Sequence, residues 1–150
     1  MRRMLTHSFA LLILAACHPQ GSEKPAVKEA WVRLPAVAGR PAAGYFILKG
    51  AKADDRLLSI DSAVVNKIEL HEEVMNGGVM TMRQLAEVRL PKGTDVAFAP
   101  GGKHAMLFGV DARITPGTAI PLLFTFQSGA KIEAEAKTMA AGDDMESMHH

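Results

Sequence analysis

The chain has 150 residues, with 17 Lys and Arg against 16 Asp and Glu. That length suits one domain, and so even a balance offers no basic stripe for a nucleic-acid backbone. Cys17 is the only cysteine, which excludes an internal disulfide framework and any cluster of thiolate ligands.

Residues 1–16 read as an export signal. Arg2 and Arg3 precede an apolar run from Phe9 to Ala16, too short to span a bilayer as a mature helix. Leu14-Ala15-Ala16-Cys17 resembles a bacterial lipoprotein cleavage box, in which the cysteine becomes the lipidated first residue. Loss of 1–16 removes two of the basic groups and leaves 15 against 16 acidic ones. Residues 17–26, a Pro/Gly/Ser/charge mixture without periodicity, then form a lipidated tether. The expected location is periplasmic, with the chain anchored to a membrane through Cys17.

The domain is expected over 27–139. Frequent Pro and Gly punctuation divides it into strand-sized segments: "GYFILKG", "DRLLSID", "VNKIELHEEV", "VMTMRQLAEVRL", "DVAFA", "HAMLFGV", "IPLLFTFQ" and "AKIEAEAKTM". The last alternates, with Ile132, Ala134 and Ala136 on one face and Lys131, Glu133, Glu135 and Lys137 on the other. Nothing sustains a 3.6-residue apolar period, so helices should be few and short. The pattern predicts an all-β, antiparallel sandwich or barrel with Greek-key connections. Residues 140–150, "AAGDDMESMHH", lack β-branched side chains and read as a flexible tail ending in Met and His.

Within "HEEVMNGGVMTM", residues 71–82, Asn-Gly separates two strand-like runs, a strong hairpin signal because a type I′ turn needs positive φ at both central residues. If Asn76 and Gly77 are those residues, Met75 faces Gly78 and His71 lies opposite Met82. Glu69, His71, Glu73, Met80, Met82 and Gln84 then share one face, and Ile68, Leu70, Val74, Val79 and Leu85 the other. Thr81 and Arg83 fall on the apolar side, a blemish that a bulge or a three-residue loop would explain. Met75 and Met80, near the turn, read equally as exposed filler or as auxiliary ligands.

His104 and Met106 follow the Pro100-Gly101-Gly102 turn. One residue apart in a strand, they point to the same side at the rim of the sandwich. Two imidazoles and two thioethers suit Cu(I), whose softness matches neutral sulfur, and suit Ca²⁺, Mg²⁺ or Zn²⁺ poorly. A blue-copper centre would need a thiolate that this domain lacks. Neutral ligands at an exposed rim favour capture and release of copper. Asp54-Asp55 and Glu72-Glu73 read as solvated charge, and no nucleophile or acid/base set emerges, so no enzyme is expected.

The spacing His71, ten residues, Met82, twenty-one residues, His104-Ala105-Met106 resembles the H-x10-M-x21-H-x-M signature of the PCuAC-type periplasmic copper chaperones. "AWVR" at 30–33, "AAGYFIL" at 42–48, "PGGKHAMLFG" at 100–109 and "TFQSGAKIEAEA" near the end are similar to that family as well. The resemblance implies a cupredoxin-like or immunoglobulin-like Greek-key β-sandwich. It implies Cu(I) ligation by His71, Met82, His104 and Met106, and delivery toward the CuA centre of cytochrome c oxidase or to another chaperone. The lipoprotein box and the tail depart from the simplest family pattern, leaving general periplasmic copper handling as the other destination. Met145, Met148, His149 and His150 form either a secondary copper site or a solvated tail. The rival reading is a structural or adhesion lipoprotein without metal.

Overall fold

A computed structural model of the chain describes residues 21–143. Cys17 and the tail residues Met145, Met148, His149 and His150 lie outside the described residues. Those described form ten strands and no helix: β1 Ala26–Arg33, β2 Ala42–Lys49, β3 Asp55–Asp61, β4 Val65–Asn76, β5 Val79–Leu85, β6 Val88–Leu90, β7 Asp95–Phe98, β8 Lys103–Val110, β9 Ala119–Phe126 and β10 Lys131–Met139. The strands hydrogen-bond in the order β5-β4-β8-β2-β1-β10-β9-β3-β6, with β7 also on β2.

This open path, with β5 and β6 at its edges, folds around one main apolar core as a β-sandwich. Phe46 on β2 meets Phe124 on β9 edge to face at 4.9 Å between ring centroids and stacks on Phe98 of β7 at 4.2 Å; each such aromatic pair adds about 0.5–1.5 kcal/mol beyond the burial of its area. Every strand except β5 contributes buried apolar side chains to this core, and β5 adds only the half-buried Leu85. The alternation expected in β10 holds, with Ala136 buried and Lys131, Glu133, Glu135 and Lys137 exposed.

Three features differ from the sequence expectations. β1 was not among the eight expected segments: a register shift between Lys28 and Trp31, with Glu29 at φ 51°, interrupts its alternation. One expected segment, "VMTMRQLAEVRL", is two strands, β5 and β6, separated at Ala86-Glu87. And the sheet is not wholly antiparallel, since β1 pairs parallel to β10.

The paired acids also differ from their expected role. Asp54 is exposed, but Asp55 is buried and accepts hydrogen bonds from the Arg56 N–H (2.8 Å), the Ser128 N–H (3.0 Å) and the Ser128 hydroxyl (2.5 Å). Burial acts to raise its pKa, but the Ser128 and Arg56 donors together outweigh it and hold the carboxyl below its ordinary value. Glu72 is paired on both sides, accepting from Lys103 and Arg83 at 2.8 Å each.

Candidate metal centre

The site lies on the outer face of the sheet where β5, β4 and β8 run side by side. The β4–β5 hairpin turns through Gly77 and Gly78, with φ of 57° and 81°, and Asn76 pairs with Val79. This corrects the expected turn at Asn76-Gly77. Both left-handed positions fall on glycines, which reach positive φ without the steric penalty that Asn would carry. His71 therefore pairs with Gln84, and Met82 pairs with Glu73.

A two-residue slip preserves the faces, because strand side chains alternate with period two. Met82 still shares the His71 side and becomes its diagonal neighbour, about 7–8 Å away between Cα atoms by sheet geometry. The unbranched methionine side chain can cover such a gap. Thr81 and Arg83 need no bulge. The ribbon runs past the end of the core there, so Thr81 donates to the Val74 carbonyl at 3.3 Å and Arg83 pairs with Glu72.

The second pair is set by β8. Gly102 donates to the Ala99 carbonyl at 3.0 Å, closing the expected turn, and Gly101 takes φ 82°. β8 then enters beside β4 with His104 directly opposite His71 and Met106 opposite Glu69. The two imidazoles are 6.0 Å apart between ring centroids and inclined by 27°. Thus His71, Met82, His104 and Met106 stand on one face of three adjacent strands, while their chain neighbours Leu70, Ala105 and Leu107 point into the core.

Hydrogen bonds distinguish the four ring nitrogens. His71 Nε2 lies 2.9 Å from the Glu69 carboxylate, and His104 Nδ1 lies 3.1 Å from the Gly102 carbonyl. Both oxygens are acceptors, so these nitrogens carry the protons. The lone pairs of the neutral rings are left on His71 Nδ1 and His104 Nε2. His71 Nδ1 is buried with no hydrogen-bond partner, an arrangement that costs free energy unless something else occupies the lone pair.

Glu69 is itself held by Lys67 at 2.6 Å, and that ammonium, followed by His71, keeps its carboxyl below the usual range. The sequence reading placed Glu69 on this face without giving it a role; its position two residues before His71 on the same strand was the available clue.

Next to His104 the outer face carries a small aromatic cluster that the sequence reading did not assign. Trp31 and Tyr45 pack at 4.4 Å between centroids, with Met139 buried against them. The Arg33 guanidinium lies over both rings, 5.2 Å from Trp31 and 5.7 Å from Tyr45. Burial raises the Tyr45 pKa, Arg33 opposes the rise and Glu73 adds to it. Among the described residues, no three His, Cys, Asp or Glu side chains gather as a metal site, so any ion on this face would depend on the thioethers.

The fold is that of PCuAC domains. The copper-bound PCuAC domain from PmoF2 superposes with a TM-score of 0.66 at 21% identity, over 80% of this chain and 95% of that one. The Cu(I) solution structure of DR1885 from Deinococcus radiodurans gives 0.62 at 17% identity, over 83% and 81%. The sandwich is accordingly cupredoxin-like. A protein of Leifsonia xyli subsp. xyli (strain CTCB07) named "Putative lipoprotein Lxx21020" is 30% identical over 105 residues, which span 69% of this chain and 63% of that protein. The family described as "Putative lipoprotein LpqE-like" matches residues 25–138, and the chain therefore belongs to the LpqE-like family.

Proposed function

We propose that the chain is a periplasmic copper chaperone. It takes up Cu(I) through His71 Nδ1, His104 Nε2 and the thioethers of Met82 and Met106, and releases it to an acceptor protein. The observation that carries this reading is the unpartnered, buried His71 Nδ1, on the same face as a second imidazole and two thioethers. Each imidazole has its other nitrogen fixed by an oxygen acceptor, the arrangement that orients metal-binding histidines. The copper-bound states named for the PmoF2 domain and DR1885 support it.

The chemistry of transfer is ligand exchange. His104 is 5% exposed on an interior strand, whereas Met82 is 53% exposed on the edge strand β5. The imidazoles hold the ion on the sheet, and Met82 is the ligand an incoming acceptor can displace. Thioether sulfur is soft and uncharged, so one Cu–S bond is replaced by another with no change in oxidation state. The lipid on Cys17 keeps the exchange at a membrane surface, where the acceptor is the CuA centre of cytochrome c oxidase or another carrier in general copper handling.

Competition for Cu(I) against a chromogenic chelator tests the proposal. The wild-type chain should withdraw one tightly held equivalent, and His104→Ala and Met106→Ala should each weaken it by at least about tenfold, on the scale of a lost ligand at roughly 1.4 kcal/mol or more. Equal competition by wild type and both variants would overturn it.

A further inference from the structure

The hairpin beyond the four proposed ligands carries two more methionines. Met75 and Met80 are direct cross-strand partners, one rung from the Gly77-Gly78 turn, so their Cβ atoms stand roughly 4.5–5.5 Å apart on one face. That face also carries Met82 and His71. The rungs from the tip inward are Met75 with Met80, Glu73 with Met82, and His71 with Gln84. His104 lies beyond, opposite His71.

Packing does not account for this pair. Met75 is 64% exposed and Met80 52% exposed, while Met139, which fills a gap beside Trp31 and Tyr45, is 3% exposed. The ribbon carrying them has left the core, for β8 pairs with β4 only as far as Glu72. Large apolar side chains held in water at a protruding tip bring no burial energy. What they do present is two soft sulfurs, with a third, Met82, one rung nearer the imidazoles. The Glu73 carboxylate opposite Met82 adds a negative charge along the way, favourable to a cation.

We propose that Met75 and Met80 form a second, solvent-facing thioether site for a soft monovalent ion, Cu(I), which captures it at the hairpin tip and passes it by way of Met82 to His71 and His104. The inference rests on the reading of that face as a Cu(I) site. Each step exchanges one neutral sulfur or nitrogen donor for another, and no electron is transferred. Two thioethers in water hold the ion more weakly than the largely buried imidazoles do, so the gradient runs inward.

Titration of the full chain, labelled with ¹³C at the methionine methyl groups, with Ag(I) as a redox-inert soft ion separates the two proposals. The first equivalent should shift Met82 and Met106, and a second, weaker one should shift Met75 and Met80. Met75→Leu with Met80→Leu keeps the apolar bulk. It should abolish the second response, leave the first, and slow Cu(I) loading several-fold. His104→Ala should weaken the first response and retain the hairpin response. Stationary Met75 and Met80 signals, or a second equivalent reported only by Met145 and Met148, would overturn the hairpin site. Stationary Met82 and Met106 would instead overturn the site on the sheet.

Discussion

The two halves of the proposed centre are built differently. His104 and Met106 sit on β8, hydrogen-bonded to neighbours on both edges, with Ala105 and Leu107 beside them buried in the core. His71 and Met82 belong to a β4–β5 ribbon whose outer strand is a sheet edge with exposed Val79, Met80 and Met82. Core packing fixes the first half, and local turn chemistry fixes the second. Under the proposed function that asymmetry serves a carrier, with the imidazoles retaining the ion and the exposed Met82 on the ribbon meeting the acceptor.

The largest expected effect lies on the rigid side. Leu107→Ala should destabilise the fold by about 2–5 kcal/mol, read as a lower urea midpoint, because Leu107 is fully buried directly after the β8 ligand Met106. If β8 is the rigid half, an equally conservative truncation on the ribbon, Met80→Ala, should change stability by no more than about 0.5 kcal/mol.

The next effect concerns the link between the halves. Glu69 fixes the His71 ring and lies opposite Met106. Glu69→Gln should weaken Cu(I) binding by about 10–100-fold while leaving the fold intact; affinity is measured by chelator competition and the fold by its urea midpoint. A matching loss in Glu73→Gln would show that the effect is general charge rather than orientation.

A control at a distance comes from Asp55. Its carboxyl is held below its ordinary pKa, so the stabilisation is fully present above the unfolded value, near 3.9, and is lost as pH falls through the lower folded value. Asp55→Asn should lower stability by about 1–3 kcal/mol at neutral pH, flatten the decline between pH 5 and 3, and leave copper affinity unchanged. Urea denaturation across that pH range, with one chelator titration, checks all three.

The smallest effect tests the turn. Gly78→Ala places a side chain at φ 81°, which should cost about 1–2 kcal/mol locally. Hydrogen exchange should then be faster in β5 than in β8.

Much of this was legible in the sequence, and the failures have physical reasons. Alternation placed His71, Met82, His104 and Met106 on shared faces, and parity survives a slip of two residues. The register itself was not legible, because Asn76-Gly77-Gly78 offers two overlapping pairs that both suit a type I′ turn. Placing positive φ on both glycines selects the second. β1 was hidden by its bulge, and its parallel contact with β10 joins segments about a hundred residues apart, Trp31 with Lys137. Asp55 looked solvated because its main donor, Ser128, is brought to it only by the fold.

In the proposed site the lone-pair nitrogens, and not the protonated ones, face the ion. Long-range ¹H–¹⁵N spectra of the histidines, before and after one equivalent of Cu(I), read this directly. The lone-pair nitrogens His71 Nδ1 and His104 Nε2 should move strongly, while His71 Nε2 and His104 Nδ1 keep their protons. Unmoved His71 and His104 signals, with the change confined to His149 and His150, would contradict it.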